Sequence, residues 1–242
     1  MPIPRIHCDQ RLGPGAQFAL DADAAQHVAK SLRLKAGDAL VVFDGRGGEY
    51  EAAIQRIDRD RVDVKVGGFH EAGRESALQL GLVQGLPEAD KMDWIIQKAT
   101  ELGAAWIQPV TCERSVVRLS GDRAARREAH WRRVAVAAAE QCGRTRIPEV
   151  RPTLGFPSWL AAPAETPRWM LDPGASPIAS QPSAPSPLEL VVGPEGGFSE
   201  RERELLAERC VEVSLGPRVL RTETAPIVAL AAIHALWGDF SR

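Results

Sequence analysis

The strongest constraint on the fold is an alternation of short apolar runs with segments of helical periodicity, which begins near residue 78. Residues 188–192 read LELVV, a short apolar run typical of a buried strand. Met92, Ile95 and Ile96 recur at the spacing of a helix. Further strands are predicted at 78–86, 106–110, 169–171 and 211–215, and further helices at 123–141, 200–209 and 224–237. Because helices joining parallel strands cover both faces of a sheet, the pattern predicts an α/β domain on a mostly parallel sheet.

The first 70 residues follow a different pattern, in which strands are predicted in succession. Residues 61–66 alternate between polar and apolar side chains, as expected of a half-buried strand. Residues 39–43 and 49–57 are also predicted strands, and Asp21 or Asp23 is placed to cap one intervening helix. This part of the chain is therefore predicted to form a small β-rich unit.

A change of pattern marks the predicted domain boundary. The polar stretch 70–76, HEAGRES, is the predicted linker. We therefore predict two domains, residues 1–72 and residues 73–242. Within the second domain, the proline- and serine-rich segment 173–187 predicts a loop.

Charge and cysteine content disfavour several classes of protein. The formal net charge of −2 argues against a uniformly basic nucleic-acid binder but allows a local basic face. The four cysteines form no CxxC pair and the five histidines form no HExxH or HxxxH pair, so we expect no metal site. The sequence contains no signal-peptide core and no apolar run of about 18 residues. We therefore expect a cytoplasmic protein with free thiols and no membrane partner.

The segment 193–199, GPEGGFS, follows a predicted parallel strand. Open α/β sheets bind ligands at the carboxyl ends of their strands, and glycines allow the backbone to approach a ligand closely. Ser199 and Glu202 have the spacing of a capping box, so a helix is predicted to begin after the glycines. The segment matches neither the P-loop nor the dinucleotide fingerprint. It is either one wall of a ligand site or a tight glycine-rich connection.

A second unusual segment, 215–226, follows the next predicted strand and also contains a Gly–Pro pair. It places Arg218, Arg221 and Glu223 ahead of an apolar helix that Thr222 or Thr224 could cap. Solvation at the surface is the usual fate of such arginines. Two such segments at the ends of successive strands can lie side by side, which favours a ligand site.

The strongest local positive charge lies on the predicted helix 123–141 and around it. The segment 140–148, EQCGRTRIP, follows this helix and adds two arginines. Such a cluster is suited to phosphate contacts, and a solvated helix face is the alternative.

The segments 97–103, 113–115, 140–145, 193–199 and 215–225 together closely resemble the ribosomal RNA small subunit methyltransferase E (RsmE) family, which methylates N3 of a uridine in 16S ribosomal RNA. The resemblance implies an enzyme that uses S-adenosylmethionine as the methyl donor. It implies a C-terminal SPOUT methyltransferase domain, an α/β fold with a deep trefoil knot, preceded by a small PUA-like β-barrel that helps to hold RNA. It also implies a homodimer whose partner is 16S rRNA or the small ribosomal subunit.

The resemblance assigns roles to the glycine-containing segments. Arg221 is the candidate to stabilise a uracil anion, and Glu223 is the candidate general base. Glu195 is either a charge partner of the sulfonium or a brace for its loop. The implied donor-binding residues are Leu171, Gly193, Pro194, Glu195, Gly196, Gly197, Leu215, Gly216, Val219, Leu220, Thr222, Thr224 and Ala225.

The implied RNA contacts are arginines from both predicted domains. They are Arg5, Arg11, Arg114, Arg126, Arg127, Arg132, Arg133, Arg144 and Arg146. Two alternatives remain: another SPOUT methyltransferase, acting on transfer RNA or on a ribose 2′-hydroxyl, and a non-catalytic RNA-binding assembly factor. The proton acceptor also stays open among Glu223, water, a phosphate and a residue of the partner chain.

Overall fold

The computed structural model describes residues 3–59, 61–88, 90–163 and 166–241. The chain divides into two compact units. The first unit comprises residues 1–75 and 139–147, and the second comprises residues 76–138 and 148–242. The arginine-containing segment after the long helix thus belongs to the first unit, although it lies far along the sequence. The boundary at residue 72 stays a prediction.

The first unit contains a five-stranded sheet with the strand order β1-β3-β4-β5-β2. Its β1–β3 pair is parallel, and the other pairs are antiparallel. The strands are β1 (Arg5–His7), β2 (Gln17–Ala19), β3 (Ala39–Phe43), β4 (Glu49–Asp58) and β5 (Arg61–His70). The three strands predicted from alternation and composition are confirmed, and β1 and β2 were missed because three residues are too few to show a period.

One short helix, α1 (Ala22–Gln26), connects β2 to β3 and continues into a π-helical turn at His27–Ser31. Asp21 caps it by accepting a hydrogen bond from the Ala24 amide. The cap is thus Asp21 and not Asp23. Val28, Val42 and Val64 are fully buried between this helical segment and the sheet.

The second unit is built on a parallel sheet, as predicted. The strand order is β12-β10-β11-β6-β7-β8, and β9 pairs with β7. Every pair is parallel. The strands are β6 (Leu80–Gly85), β7 (Trp106–Thr111), β8 (Glu149–Val150), β9 (Leu154–Gly155), β10 (Arg168–Leu171), β11 (Leu188–Val192) and β12 (Val211–Val213). All residues of β6 and β11 are buried, as expected for central strands.

Helices connect these strands. They are α2 (Lys91–Glu101), α3 (Gly121–Cys142), α4 (Phe156–Ala161), α5 (Glu200–Ala207) and α6 (Ala225–Trp237). The short helix α4 was not predicted, because six residues that include a proline show no helical periodicity. Within the described part of the chain, none of the helices has both the length and the apolar character needed to cross a membrane.

The segment between β10 and β11 is a loop, as predicted, but it is packed along the sheet. It contains a 3₁₀ turn at Ile178–Ser180, and Ile178 is buried. Pro177 forms a parallel bridge with Ser214, which directly follows β12. The loop therefore runs along the outer side of β12 before the chain enters β11.

Candidate functional site

A cavity of about 530 Å³ lies at the carboxyl ends of β10, β11 and β12. Two connections form most of its wall. We call residues 193–199 the braced turn and residues 215–224 the open turn, because they differ in how firmly they are held. Of the residues predicted to bind a donor, eleven line the cavity and two, Gly196 and Thr224, do not. The sheet thus places its cavity where parallel strands of this class present their ligand sites.

Thr222 joins the two turns. Its hydroxyl donates a 2.7 Å hydrogen bond to the Gly193 carbonyl and accepts a 3.1 Å hydrogen bond from the Gln84 side-chain amide. Gln84 is fully buried at the end of β6. The turns therefore lie side by side, as expected from their positions in the sequence.

The predicted threonine cap of α6 was wrong. Thr224 occupies the N-cap position but makes no side-chain capping hydrogen bond. The hydroxyl of Thr222 is engaged with Gly193. Both threonines had suitable spacing, but the contact with the other turn was invisible in the local sequence.

Glu195 fixes the braced turn to the start of α2. Its carboxylate accepts a 2.7 Å hydrogen bond from Lys91 Nζ and a 3.0 Å hydrogen bond from the Glu88 amide. Burial alone would raise the pKa of Glu195, but these hydrogen bonds outweigh it, so that the pKa is lowered. The same contact raises the pKa of Lys91. Of the two roles considered for Glu195, the structure supports the brace.

The glycines of the braced turn serve backbone conformation and close packing. Gly197 has φ of +66°, a left-handed conformation that side chains other than glycine rarely adopt. Ser199 then begins α5, and the capping box is confirmed: Ser199 Oγ accepts from the Glu202 amide, and Glu202 accepts from the Ser199 amide at 2.9 Å. A β-carbon at Gly85 would lie 2.6 Å from Pro194, so this approach also depends on glycine.

Arg221 and Glu223 lie next to each other on the open turn. Their closest charged atoms, Arg221 Nη1 and Glu223 Oε1, are 3.9 Å apart. The Arg221 side chain is 83% exposed and the Glu223 side chain is 18% exposed. Glu223 Oε2 is buried and has no hydrogen-bond partner within the described residues. The pair thus combines a guanidinium open to solvent with a sheltered acceptor oxygen.

Three charged residues at the cavity were missed from the sequence. Lys91, Asp172 and Arg203 all line it. Asp172 directly follows β10, accepts from the Gly174 amide at 2.7 Å and forms an ion pair with Arg203. The one available signal was the Asp172-Pro173 dipeptide at the end of a predicted strand.

Two arginines predicted to contact RNA are engaged in ion pairs within the first unit. Arg5 pairs with Glu49, and both side chains are 12% exposed. Arg144 pairs with Glu75 at 2.9 Å, and the Arg144 side chain is 7% exposed. Because these guanidinium groups are sheltered beside carboxylates, they are not part of the proposed RNA surface.

The other predicted RNA-contacting arginines differ in their surroundings. Arg127 is half-buried and pairs with Asp90 at 2.9 Å. Arg114 donates a 3.1 Å hydrogen bond to the Gly196 carbonyl, so it touches the braced turn. Arg11, Arg126, Arg132, Arg133 and Arg146 are exposed.

The cysteines do not provide a nucleophile at this site. Burial raises the pKa of Cys8 and of Cys112 to about 12, and that of Cys210 to about 11. All four cysteines are free thiols. Among the described residues, no group of three or more His, Cys, Asp or Glu side chains is arranged to hold a metal.

Comparison with known proteins relates the two units to RNA-modifying enzymes. Residues 74–234 match the model of the RNA methyltransferase domain, and residues 20–67 match that of the RNA methyltransferase PUA domain. The chain is 34% identical to ribosomal RNA small subunit methyltransferase E of Bacillus subtilis, with 93% of this chain and 92% of the relative aligned. The corresponding protein of Synechocystis is 32% identical, with 91% of this chain and 74% of the relative aligned.

Two solved structures are similar over nearly the whole chain. A putative methyltransferase from Legionella pneumophila, in complex with SAM, has a TM-score of 0.95 and 35% identity, with coverage of 99% and 100%. A ribosomal RNA small subunit methyltransferase E from Neisseria gonorrhoeae, bound to S-adenosyl methionine, has a TM-score of 0.91 and 34% identity, with coverage of 98% and 99%.

Proposed function

The chain belongs to the ribosomal RNA small subunit methyltransferase E family, and we propose that it transfers the methyl group of S-adenosylmethionine to N3 of a uridine in 16S ribosomal RNA. The observation that carries the proposal is the cavity between the braced turn and the open turn, where Arg221 and Glu223 stand at the wall. Both alternatives, a different SPOUT activity and a non-catalytic assembly factor, are outcomes of the test below.

The cavity suits S-adenosylmethionine in size and chemistry. Its volume of about 530 Å³ lies within the ordinary range for small-molecule sites. The apolar part of the wall is formed by Val192, Leu215 and Leu220, and the backbone of both turns offers hydrogen-bonding groups. When bound, the donor supplies an activated methyl group on a cationic sulfur.

The residues of the open turn supply the remaining chemistry. Uracil N3 carries a proton and must lose it before the nitrogen can accept a methyl group. We assign proton acceptance to Glu223, because its Oε2 is sheltered and has no partner in the described structure. We assign stabilisation of the uracil anion, whose charge is shared by O2 and O4, to Arg221, because its guanidinium is exposed at the wall of the cavity.

We propose a trefoil knot in the methyltransferase domain. β12 lies outside β10 in the sheet, and the loop leaving β10 runs along the far side of β12, where the Ile178 amide donates to the Ser214 carbonyl at 2.9 Å. The chain beyond β12 then returns across the sheet to Gln84 at the end of β6. These contacts support threading of the open turn through the loop between β10 and β11.

We propose that residues 1–72 form a PUA-like β-barrel, followed by the methyltransferase domain, residues 73–242. The match to the PUA family model supports the assignment. The long β4–β5 pair contains two register irregularities, between Tyr50 and Ala52 and between Ile54 and Arg56. Such irregularities bend a strand pair and favour closure of a sheet.

We propose that the protein works as a homodimer in the cytoplasm. α6 contains no Asp, Glu, Lys or Arg, yet Val228 and Leu236 on it are 37% and 42% exposed. α2 contacts α6 and exposes 51% of Trp94. Because a helix that is apolar on all sides is usually buried, these residues support a contact with a second copy.

We propose that the exposed arginines of α3 help to hold the RNA. Arg126, Arg132 and Arg133 are exposed along this helix. Arg114 links this basic region to the braced turn through Gly196. Arg11 and Arg146 are further candidates on the first unit.

The test combines donor binding with analysis of the methylated nucleoside. Purified protein is titrated with S-adenosylmethionine by calorimetry and is then incubated with small-subunit RNA, transfer RNA or assembled small subunits. Mass spectrometry of the nucleosides should detect N3-methyluridine in the small-subunit samples. A 2′-O-methyl nucleoside or modified transfer RNA would establish the other SPOUT activity. Donor binding without any methylation would establish the assembly factor.

A further inference from the structure

A second cavity, of about 450 Å³, lies beside the donor cavity in the methyltransferase domain. Asp90 and Met92 line the second cavity, and Lys91 between them lines the first. Because the Cα atoms of consecutive residues are about 3.8 Å apart, the two cavities are neighbours at the start of α2. The second cavity also follows β6 and β7, so it lies at the same carboxyl edge of the sheet.

The second cavity has an apolar floor. Its floor residues are buried or half-buried, and no charged group is among them: Leu86, Pro87, Met92, Val117, Leu119 and Trp131. Such a surface stabilises the flat, weakly polar face of a nucleobase better than it stabilises a phosphate. A ligand that fills it therefore has an apolar part.

The rim of the second cavity is positively charged. Arg123 and Arg126 are exposed there, and Arg126 is oriented by a hydrogen bond from its Nε to the Asp122 carbonyl at 3.3 Å. Arg127 lies over the Trp131 ring and pairs with Asp90, so it completes the wall. Guanidinium groups bind phosphate oxygens and also stack on bases. The rim therefore complements the anionic part of a nucleotide.

His130 gives the cavity a polar group that is fixed in orientation. Its Nε2 lies 2.6 Å from Asp93 Oδ2, and the Trp131 indole donates to the other oxygen of Asp93 at 3.1 Å. Asp93 is the partner of Nε2, so Nδ1 is the ring nitrogen that faces a ligand in this assignment, and it suits a polar group on the edge of a base.

We infer that the second cavity binds one unstacked nucleotide of the RNA substrate, adjacent to the uridine that is methylated. The base occupies the apolar floor, and its phosphate contacts Arg123 and Arg126. Proteins read single-stranded RNA in this way, by taking splayed bases into pockets while cations hold the backbone. The inference rests on the proposed function, since it requires an RNA substrate.

The test separates recognition of bases from recognition of phosphates. The probes are an octauridylate and an octamer with the same ribose–phosphate backbone but no bases. Fluorescence anisotropy at fixed salt should show octauridylate binding roughly tenfold more tightly to the wild-type protein, the effect of about one bound base. Leu119→Trp, which fills the cavity, should reduce this preference to about twofold and leave the affinity for the abasic octamer unchanged.

Arg133→Ala is the matched control on the same helix. Arg133 is exposed on α3 but does not line the second cavity. Its loss should weaken binding of both probes by the same factor, so that the ratio of affinities is preserved. Arg126→Ala should weaken binding of both probes more strongly.

Two results would overturn the inference: equal binding of the two probes by the wild-type protein, or an unchanged preference in a folded Leu119→Trp variant. Calorimetry with S-adenosylmethionine checks that the variant is folded, and Val117→Trp replaces it if it is not. Methylation of small-subunit RNA is measured with the same preparations. If the wild-type protein methylates that RNA while the cavity-filled variants keep the preference, the cavity assignment fails and the proposed function stands.

Discussion

The braced turn and the open turn both follow strands, both contain a Gly–Pro pair and both line the donor cavity, yet they are held very differently. In the braced turn, Glu195 accepts hydrogen bonds from Lys91 and the Glu88 amide, and Ser199 forms the capping box with Glu202. On the open turn, the residue Val219 is 82% exposed, and the side chain of Arg221 is 83% exposed. A fixed backbone suits a constant ligand, whereas exposed side chains suit a large substrate that arrives and departs.

The largest expected effect separates chemistry from donor binding. Glu223→Gln and Arg221→Ala should each lower the methylation rate by roughly 10²–10³-fold, the usual range for a positioned acid–base group or a charge-stabilising donor. Donor affinity should stay within about twofold, because neither side chain holds the braced turn. Single-turnover methylation and calorimetry measure the two quantities. A full rate for either variant would remove that residue from the mechanism.

The next effect concerns the contact that joins the turns. Thr222→Val removes the hydroxyl that bonds to Gly193 and Gln84. The loss should cost about 0.5–1.5 kcal/mol, because Gln84 Nε2 keeps the Gly85 and Gly193 carbonyls as acceptors. We expect roughly tenfold weaker donor binding and a lower melting temperature. Thr224→Val is the control, since Thr224 makes no side-chain capping bond and does not line the cavity. Equal behaviour of the two variants would mean that the turns are independent.

A smaller effect is expected from the brace itself. Lys91→Met removes the ion pair with Glu195, whose side chains are about a third exposed, so the change should weaken donor binding by at most about fivefold. Lys98→Met breaks a similar pair with Glu101 on the same helix, away from the cavity lining. It should leave donor affinity unchanged. An equal loss of donor affinity in both variants would indicate that α2 as a whole is destabilised.

The smallest expected effect is a dependence on pH. Glu195 has a lowered pKa in the folded protein, so its contribution to stability is complete above its ordinary value of 4.5. The contribution is lost as the pH falls through the lowered pKa of the folded state. Wild-type protein and Glu195→Gln should therefore differ in melting temperature at pH 7 and converge as the pH falls from 4.5 through the lowered pKa of Glu195. A difference that persists at low pH would contradict the ionised brace.

Local features of the site were predictable, because their partners are close in sequence. The Ser199–Glu202 capping box depends on a spacing of three residues and was confirmed. The parallel sheet followed from the alternation of strands with helices. The two turns were expected to lie side by side, but the reason is not local: β10 separates β11 from β12 in the sheet. The turns meet because the open turn returns across the sheet, with Thr222 at the point of contact.

The ion pairs could not be predicted, because each depends on residues brought together by the fold. Lys91 and Glu195 are 104 residues apart, and Arg144 and Glu75 are 69 apart. Local sequence gave Arg144 the same character as Arg126, since both lie in arginine-rich stretches. Burial beside a carboxylate distinguishes Arg144 from Arg126, and burial follows from the packing of distant segments.

Gln84 has a consequence for how this sequence can diverge. Its buried amide donates to Thr222, a residue 138 positions away, so the two side chains form one polar unit inside the sheet edge. A change at either position alone removes a hydrogen bond from this network, which also includes the carbonyls of Gly85 and Gly193. Relatives that replace Gln84 should therefore carry a compensating replacement at the position of Thr222. Paired substitutions at positions 84 and 222 among relatives would show that the contact between the two turns has been maintained as the family diverged.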